Sequence, residues 1–246
     1  MTPTDRKPPG LFITGTDTGV GKTIVTAAIA TAFKVCGINA GIMKPLATGR
    51  EGTGAGLSDP EWLMSVTGVQ DSPDLIAPYR FSTPAAPLVA AAQAGRSIDP
   101  TRILDAFQAL LPKHDCVVVE GIGGVLVPIT PGVSAADLIK RMNVPALVVA
   151  HAGLGSINHT LLTLECLRNR GVPILGLVFN SAGRPAADAD LSETVPTILR
   201  LSGVRSFGEL PYCEGLPSTW SKHRDTLIAQ LDVQGLLEAL GLRGLA

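Results

Sequence analysis

The sequence predicts an α/β fold built on a doubly wound, mostly parallel β-sheet. Apolar runs of strand length alternate along the chain with longer segments of helical periodicity, which is the pattern of consecutive βαβ units. Each short run is β-branched or continuously apolar, as expected of strands that are buried on both faces. A glycine-rich segment separates the first run from the first helical segment, where parallel α/β sheets place a tight strand-to-helix turn.

The elements follow from this alternation. The predicted strands are 11–14, 38–43, 116–120, 145–150 and 174–179. The predicted helices are 22–35, 100–111, 134–142, 156–169 and 186–202. Residues 207–210 are predicted to form a last short strand, and 227–240 a closing helix.

Residues 45–99 interrupt this alternation of predicted strands and helices. This segment is rich in Gly, Pro, Ala and Ser, and no strand is predicted between Lys44 and Cys116. Short helices are predicted at 59–67 and 85–94. Because long irregular insertions usually carry function, we expect this segment to contribute to a binding site. With no visible linker, we expect one domain over 1–246, with 1–9 as a frayed tail.

The composition narrows the classes of protein that fit. The chain has 246 residues, 46% of them hydrophobic, and a net charge of −1 without a basic block, which argues against a nucleic-acid partner. No apolar run approaches the roughly 18 residues of a membrane span, so no membrane association is expected. The first nine residues do not read as a signal peptide. The four cysteines are scattered and lack zinc spacing, so we expect a cytoplasmic enzyme with free thiols.

The segment Thr14–Thr23 predicts a phosphate-binding loop. Backbone N–H groups of such a loop converge on phosphate oxygens, and the following helix adds its positive N-terminal dipole. Lys22 is expected to reach the β- and γ-phosphates, and the Thr23 hydroxyl to bind Mg²⁺. The predicted nucleotide-binding residues here are Gly19, Val20, Gly21, Lys22, Thr23 and Ile24. The chain is therefore expected to be a P-loop NTPase-like protein that binds ATP.

The spacing of this loop departs from the usual motif. A standard P-loop has its first glycine six residues before the lysine, but Thr16 stands there and the glycine is Gly15. A glycine-rich turn with a chance Gly-Lys-Thr is the structural alternative, although the flanking strand and helix favour the phosphate-binding interpretation. The offset also argues against a regulatory GTPase.

Charged residues end two further predicted strands. Lys44 closes the strand at 38–43 and is either a ligand contact or a lysine that reaches solvent at the rim of the sheet. Glu120 follows three valines, a Walker-B-like layout that suits Mg²⁺, and a capping or solvated glutamate is the alternative. Asp59 is a second candidate metal ligand or, equally, a helix N-cap. The glycines that follow Glu120 allow close approach of a ligand to the backbone, through Gly121, Ile122 and Gly123.

Asn180 ends the strand at 174–179. Its amide both donates and accepts, which suits the edge of an adenine base, and a turn residue that satisfies local backbone groups is the alternative. The segment 207–211 is expected to form a wall for the base. His151, at the end of another strand, has no assigned role and is expected to be a satisfied rim histidine.

These motifs in this order resemble the dethiobiotin synthetase family. The resemblance rests on five segments: 15–23, Lys44-Pro45 with Thr48-Gly49, 119–124, 154–159 and 208–211. The match extends in order from about residue 11 to residue 213, and the offset P-loop is the form found in that family. Each motif alone is weak, but the ordered set is specific.

The resemblance implies an ATP- and Mg²⁺-dependent cyclo-ligase of biotin biosynthesis. It implies that 7,8-diaminononanoate and CO₂ are joined into the ureido ring of dethiobiotin, with release of ADP and phosphate. By position, Lys22 and Lys44 resemble the lysines that hold the carbamate and γ-phosphate, and Thr18 resembles the P-loop residue near the reacting groups. Thr23, Asp59 and Glu120 resemble the Mg²⁺ ligands. Contacts to the nucleotide are implied for Asn180, Ser181, Pro211, Tyr212 and Cys213.

The resemblance also implies an active site shared between two subunits. Thr48 is a predicted substrate contact, and the loop with Gly155 and Asn158 is expected to meet the substrate carboxylate across a homodimer interface. Ser156 or Asn158 is expected to cap the helix that begins there. An ordinary βα turn that serves its own chain is the structural alternative.

Three other protein classes are alternatives to this family. A partitioning-type or nitrogenase-iron-protein-type ATPase would carry a signature lysine early in the P-loop, and residues 14–19 contain none. An amidotransferase-linked ligase would need a glutaminase domain with a nucleophilic cysteine, which is not expected here. A non-enzymatic switch would hydrolyse ATP in response to a protein partner, without a diamine.

Overall fold

A six-stranded sheet forms the centre of the protein in the computed structural model, which describes residues 10–49, 56–181 and 192–242. The strands of the described residues are β1 Gly10–Gly15, β2 Ala40–Met43, β3 Leu46–Thr48, β4 Tyr79–Phe81, β5 Cys116–Glu120, β6 Pro128–Thr130, β7 Val133–Ser134, β8 Ala146–His151, β9 Ile174–Asn180 and β10 Ser206–Leu210. The central sheet has the order β10-β9-β8-β1-β5-β2, and each neighbouring pair is parallel. The predicted parallel α/β sheet is therefore confirmed.

Helices cover both faces of this sheet. In the described ranges they are α1 Lys22–Val35, α2 Asp59–Thr67, α3 Pro73–Ile76, α4 Pro87–Gln93, α5 Pro100–Leu110, α6 Ala135–Met142, α7 Ser156–Asn169, α8 Thr194–Ser202, α9 Trp220–Ala229 and α10 Val233–Leu240. A 3₁₀ turn at Leu111–Lys113 follows α5. None of the helices in these ranges combines enough length with enough apolar character to cross a lipid bilayer.

Two hydrophobic clusters separate the helices into layers. Neighbouring residues of a strand point to opposite faces, so Phe12 joins one cluster while Leu11 and Ile13 join the other. Helices α1, α2, α9 and α10 pack on the Leu11 side, and α4 to α8 supply the Phe12 side. Burial on both faces is why the strands read as continuous apolar runs.

The structure corrects the prediction for residues 45–99. Strands β3 and β4 lie in this segment and pair in parallel as a separate ribbon, so the prediction of no strand between Lys44 and Cys116 was wrong. Three residues per strand are too few to produce a periodic signal. The short antiparallel pair of β6 and β7 escaped prediction for the same reason.

Two helix predictions also change. The closing helix predicted at 227–240 is two helices, because Asp232 accepts a hydrogen bond from the Gly235 N–H and starts α10 anew. The backbone N–H of Asp232 meanwhile donates to Phe207 O of β10, which bends the chain between the two helices. The helix predicted at 186–202 begins at Thr194, and residues 182–191 lie outside the described residues, as does the predicted tail at 1–9.

Candidate active site

The P-loop lies at the carboxyl end of β1, next to the ends of β5 and β8. In open parallel sheets this edge is where ligands bind. Gly19 and Gly21 adopt positive φ angles of 80° and 89°, which lets the loop fold back before α1 begins at Lys22. Gly21 is the N-cap of α1 and supplies no side-chain acceptor, and the first turn carries no acidic residue. The N-terminus of this 14-residue helix therefore offers its backbone N–H donors and the positive end of the helix dipole to an anion.

Lys22 is buried within the same loop. Its Nζ donates to the backbone carbonyl of Asp17 at 2.7 Å, and the residue is 7% exposed. Burial lowers the pKa of Lys22 to about 8, because desolvation of the ammonium outweighs the attraction of Glu120. The lysine is held at the P-loop, where an incoming phosphate would favour its charged form.

Lys44 is the centre of a buried charge cluster. Its Nζ lies 2.6 Å from Glu120 Oε1 and 2.5 Å from Asp59 Oδ2. Burial by itself lowers the pKa of Lys44, but the two carboxylates raise it by more, so the pKa lies above its usual value and the side chain is an ammonium. The alternative that Lys44 reaches solvent at the rim of the sheet is therefore wrong, because the side chain is buried.

Glu120 joins this cluster to the P-loop. The Thr23 hydroxyl donates to Glu120 Oε1 at 2.7 Å, so one carboxylate oxygen serves both Thr23 and Lys44. The other oxygen, Oε2, is buried and has no hydrogen-bond partner in the part of the chain that the structure describes. Such an orphaned buried acceptor is costly unless a ligand, ion or water meets it.

Asp59 reaches the cluster from the first turn of α2. The predicted alternative, that Asp59 is the N-cap, is wrong: Ser58 is the N-cap, and Glu61 accepts from both its N–H and its hydroxyl. Asp59 is the first helical residue, so its carboxylate is free to pair with Lys44.

The donor set around Lys44 is compatible with Mg²⁺. Among the described residues there is no group of three or more His, Cys, Asp or Glu side chains that would hold a metal by itself. Mg²⁺, however, takes one or two carboxylates together with substrate phosphates and water. The oxygens of Thr23, Asp59 and Glu120, including a Glu120 Oε2 that has no hydrogen-bond partner among the described residues, fit that requirement.

The Asn180 cleft, of about 290 Å³, lies on the α1 side of the P-loop. It is lined by Gly19, Gly21, Ile24, Asn180, Ser181, Pro211, Tyr212, Cys213, Gly215 and Leu216. The Asn180 amide nitrogen donates to Val20 O at 2.9 Å, so this asparagine binds the P-loop rather than its local backbone. Sequence reasoning missed Gly215 and Leu216, although the Gly-Leu-Pro turn at 215–217 is a signal that favours a bend beside the cleft.

The His151 cleft, of about 360 Å³, lies on the other side of the P-loop. It is lined by Thr16, Asp17, Thr18, Gly19, Val20, His151, Leu154, Ser156 and His159. A third space, the Leu162 cleft of about 460 Å³, adjoins it and shares Thr16, Asp17 and His159. Thr18 lines the His151 cleft.

Not every predicted residue lines these spaces. Gly121 and Ile122 border a small apolar cavity of about 10 Å³ beside Glu120, and a Cβ at Gly123 would lie 3.5 Å from Thr18 Oγ1. Thr48 ends β3 and lines none of the three clefts.

The start of α7 differs from the prediction. Gly155, not Ser156 or Asn158, is the N-cap, while the Ser156 hydroxyl accepts from the Gly153 N–H. Gly155 and Asn158 are exposed beside the His151 cleft rather than in its wall.

Solved structures with the same fold include cell-division proteins. A chain of the MinC:MinD cell division protein complex of Aquifex aeolicus superposes with a TM-score of 0.58 at 13% identity, covering 94% of this chain and 96% of that one. MinD of Pyrococcus furiosus gives 0.56 at 19% identity, covering 94% and 99%. At these identities the likeness shows the P-loop NTPase-like fold alone.

Sequence relatives are more specific. A family model described as an AAA domain matches residues 9–219. The ATP-dependent dethiobiotin synthetase BioD of Anaeromyxobacter dehalogenans (strain 2CP-C) is 43% identical over 203 residues, covering 82% of this chain and 90% of the relative. The proteins of the same name from Thermodesulfovibrio yellowstonii and Bacillus velezensis are 40% and 36% identical, covering 93% and 86% of this chain and 98% and 90% of the relatives. The chain therefore belongs to the ATP-dependent dethiobiotin synthetase BioD family and is an enzyme of the cyclo-ligase class.

Proposed function

We propose that this enzyme carboxylates 7,8-diaminononanoate with CO₂ and closes the ureido ring of dethiobiotin at the expense of ATP. One amine of the substrate adds to CO₂ and loses a proton, which gives a carbamate. A carbamate oxygen then takes the γ-phosphoryl group of ATP, giving a carbamic–phosphoric anhydride and ADP. The second amine attacks the carbonyl carbon, phosphate leaves, and the ring closes.

The buried cluster around Lys44 is the single observation that carries this proposal. The reaction must bring three anionic groups together: a carbamate, a triphosphate and a tail carboxylate. It therefore needs positive charge that is fixed in place at a site shielded from water. Lys44 is an ammonium with almost no solvent contact, placed near the P-loop through Glu120 and Thr23. In the proposed roles Lys44 and Lys22 hold the carbamate and the γ-phosphate, and Thr18 orients the reacting groups from the P-loop.

Thr23, Asp59 and Glu120 are proposed to hold Mg²⁺ beside the phosphates. When bound, the ion would neutralise phosphate charge and polarise the transferred group. The residues themselves already converge: Glu120 Oε1 accepts from Thr23 and Lys44, and Asp59 approaches from α2. A covalent enzyme nucleophile is not required by this chemistry.

The Asn180 cleft is the proposed site of the adenine base. Its lining matches the nucleotide contacts predicted from the sequence, including Asn180, Ser181, Pro211, Tyr212 and Cys213. The cleft opens beside Gly19 and Gly21, so a base here would place its phosphates along the P-loop toward Lys22.

We further propose that the enzyme is a cytoplasmic homodimer with a shared active site. Thr48 is assigned to the substrate, and Gly155 and Asn158 at the start of α7 to the substrate carboxylate of the neighbouring subunit. The exposure of Gly155, Asn158 and Leu154 suits a surface that another copy would cover.

Coupling between ATP turnover and the diamine tests the proposal. Purified enzyme is assayed for ADP release and dethiobiotin formation with Mg²⁺ and bicarbonate, with and without 7,8-diaminononanoate. We expect ADP and dethiobiotin to form in equal amounts, and only with the diamine. ADP release that is indifferent to the diamine, without product, would instead support a partitioning-type ATPase switch that acts on a protein partner.

A further inference from the structure

His151 links the two clefts that flank the P-loop. It is the last residue of β8 and lies opposite Asn180, the last residue of β9. The imidazole lines the His151 cleft, whereas Asn180 lines the cleft on the other side. The fold therefore connects the two sides of the P-loop through one pair of strand ends.

The contact between the two residues defines the tautomer. His151 Nδ1 lies 3.1 Å from the backbone oxygen of Asn180. A carbonyl oxygen only accepts, so Nδ1 carries the hydrogen and donates it. The pairing of β8 with β9 ends at these two residues. The imidazole of His151 adds one more hydrogen bond between the strands, to the backbone of Asn180.

The ring is also restrained from the other side. A Cβ at Gly153 would lie 2.5 Å from His151 Cδ2 and 2.6 Å from Nε2, so the ring packs directly on the Gly153 backbone. Gly153 is in turn hydrogen-bonded to Ser156 at the start of α7: its N–H donates to the Ser156 hydroxyl, and its carbonyl accepts from the Ser156 N–H. The imidazole is thus held between the β8–α7 loop and the end of β9.

Asn180 transmits this restraint to the P-loop. Its amide nitrogen donates to Val20 O, and its side chain is so close to Gly21 that a Cβ there would lie 2.0 Å from Nδ2. A small shift of the Asn180 backbone would therefore break the bond to Val20 and alter the wall of the Asn180 cleft.

We propose that His151 is a positioning residue for nucleotide binding, whose Nδ1–H holds the Asn180 carbonyl so that the Asn180 amide stays bound to the P-loop. The inference rests on the proposed function, because it takes the Asn180 cleft as the site of the base. It assigns His151 no contact with the nucleotide.

Three substitutions separate the two ring nitrogens. His151→Asn places an amide donor where Nδ1 was, His151→Gln places one where Nε2 was, and His151→Leu removes both. Binding of ATP in the presence of MgCl₂ is measured by isothermal titration calorimetry, with thermal melting as a check on the fold. His223→Leu is the matched control, since His223 is a half-buried histidine of α9 that lines none of the three clefts.

We expect His151→Leu to weaken ATP binding roughly three- to tenfold, the effect of one lost hydrogen bond. His151→Asn should return the affinity to the wild-type value, while His151→Gln should not, and His223→Leu should bind normally. Wild-type affinity in His151→Leu, or any pattern in which Asn does not restore binding better than Gln, overturns the inference. A wild-type enzyme that fails to bind ATP would instead overturn the proposed function.

Discussion

At the scale of single residues, the site depends on charges that are buried because they are paired. Glu120 and Asp59 each lie within hydrogen-bond distance of the Lys44 ammonium. Taking such groups out of water is costly, and their mutual attraction offsets that cost only while every partner is present. Removing one member should therefore change both stability and chemistry, which makes each substitution informative.

Lys44→Met should reduce dethiobiotin formation by on the order of a hundredfold or more, because a fixed positive charge at the reacting groups is lost. It should also lower the melting temperature, since Glu120 is left as a buried carboxylate without its cation. Added MgCl₂ should raise the melting temperature of the variant more than that of the wild type. Lys140→Met, which alters an exposed lysine of α6, is the control. A folded, active Lys44→Met enzyme would refute the proposed role.

Glu120→Gln keeps the shape of the side chain and removes its charge. We expect the Mg²⁺ concentration for half-maximal product formation to rise about ten- to hundredfold, the range seen when groups that organise a metal site are lost. Glu61→Gln is the control, because Glu61 accepts hydrogen bonds from the N-cap residue Ser58 rather than from Lys44. An unchanged Mg²⁺ titration would assign Glu120 a structural role.

The buried Lys22 predicts opposite effects of pH on stability and binding. Its pKa falls from 10.5 to about 8 on folding, so between these values the unfolded chain holds a proton that the folded chain has released. The Lys22 contribution to the free energy of unfolding therefore rises with pH across this window. ATP affinity should fall as pH rises above about 8, and binding should take up a proton, because the phosphates need the ammonium.

Calorimetry in buffers of different ionisation enthalpy measures this proton uptake. Lys22→Arg stays charged throughout the window, so its ATP affinity should depend less on pH. Equal pH profiles for the two enzymes would show that Lys22 does not titrate at the phosphates.

At the scale of elements, the site is an edge of the sheet completed by neighbouring helices. β1, β5 and β9 deliver the P-loop, Glu120 and Asn180 to one edge because parallel strands end on the same side. α1 adds its N-terminus to the site. α2 brings Asp59 to Lys44, which directly follows β2. The P-loop conformation depends on two glycines that differ in their surroundings.

This difference gives a matched test. Gly19→Ala and Gly21→Ala both force a non-glycine residue to positive φ, at a cost of about 1–2 kcal/mol. A Cβ at Gly19 meets nothing within 4 Å, whereas one at Gly21 would overlap Asn180 Nδ2. We expect Gly21→Ala to lose about 1–3 kcal/mol more of the free energy of unfolding in urea titrations. Equal losses would mean that the contact between Gly21 and Asn180 does not restrain the loop.

At the scale of the whole molecule, both faces of the sheet are covered, yet three exposed leucines gather in one region. Leu126 and Leu162 line the Leu162 cleft and are 60% and 55% exposed, and Leu154 in the adjoining His151 cleft is 97% exposed. Apolar side chains gathered around two adjoining clefts are typical of surfaces that another molecule covers. The proposed dimer would bury them beside the start of α7.

Leu162→Asp should therefore give monomers by light scattering that still bind ATP but form little dethiobiotin. Leu162 is a better position for this test than its neighbour Leu161, which is half-buried, because a charge at the more exposed residue would disturb the folded subunit less. Val35→Asp is the control, since Val35 is 77% exposed at the far end of α1. A wild-type enzyme that is a fully active monomer would exclude the shared site.

The sequence by itself determined the parallel α/β class, the P-loop and the strand ends that carry Lys44, Glu120 and Asn180. These depend on local signals: apolar periodicity, glycines at a turn, and a charged or polar residue directly after a strand. The family could be identified from the ordered motifs because each motif is also a local signal. Signals of only three residues, as in β3 and β4, were too short to read.

Only the tertiary structure decided which of these residues meet. Lys44 and Glu120 are 76 residues apart, and Asn180 and Val20 are 160 apart, so no local pattern specifies their contacts. Whether Lys44 reaches solvent or pairs with carboxylates, and whether Asp59 caps a helix or binds an ammonium, depends on what the sheet brings beside it. The role proposed for His151 has the same origin, because parallel pairing of β8 and β9 places its imidazole against the Asn180 carbonyl.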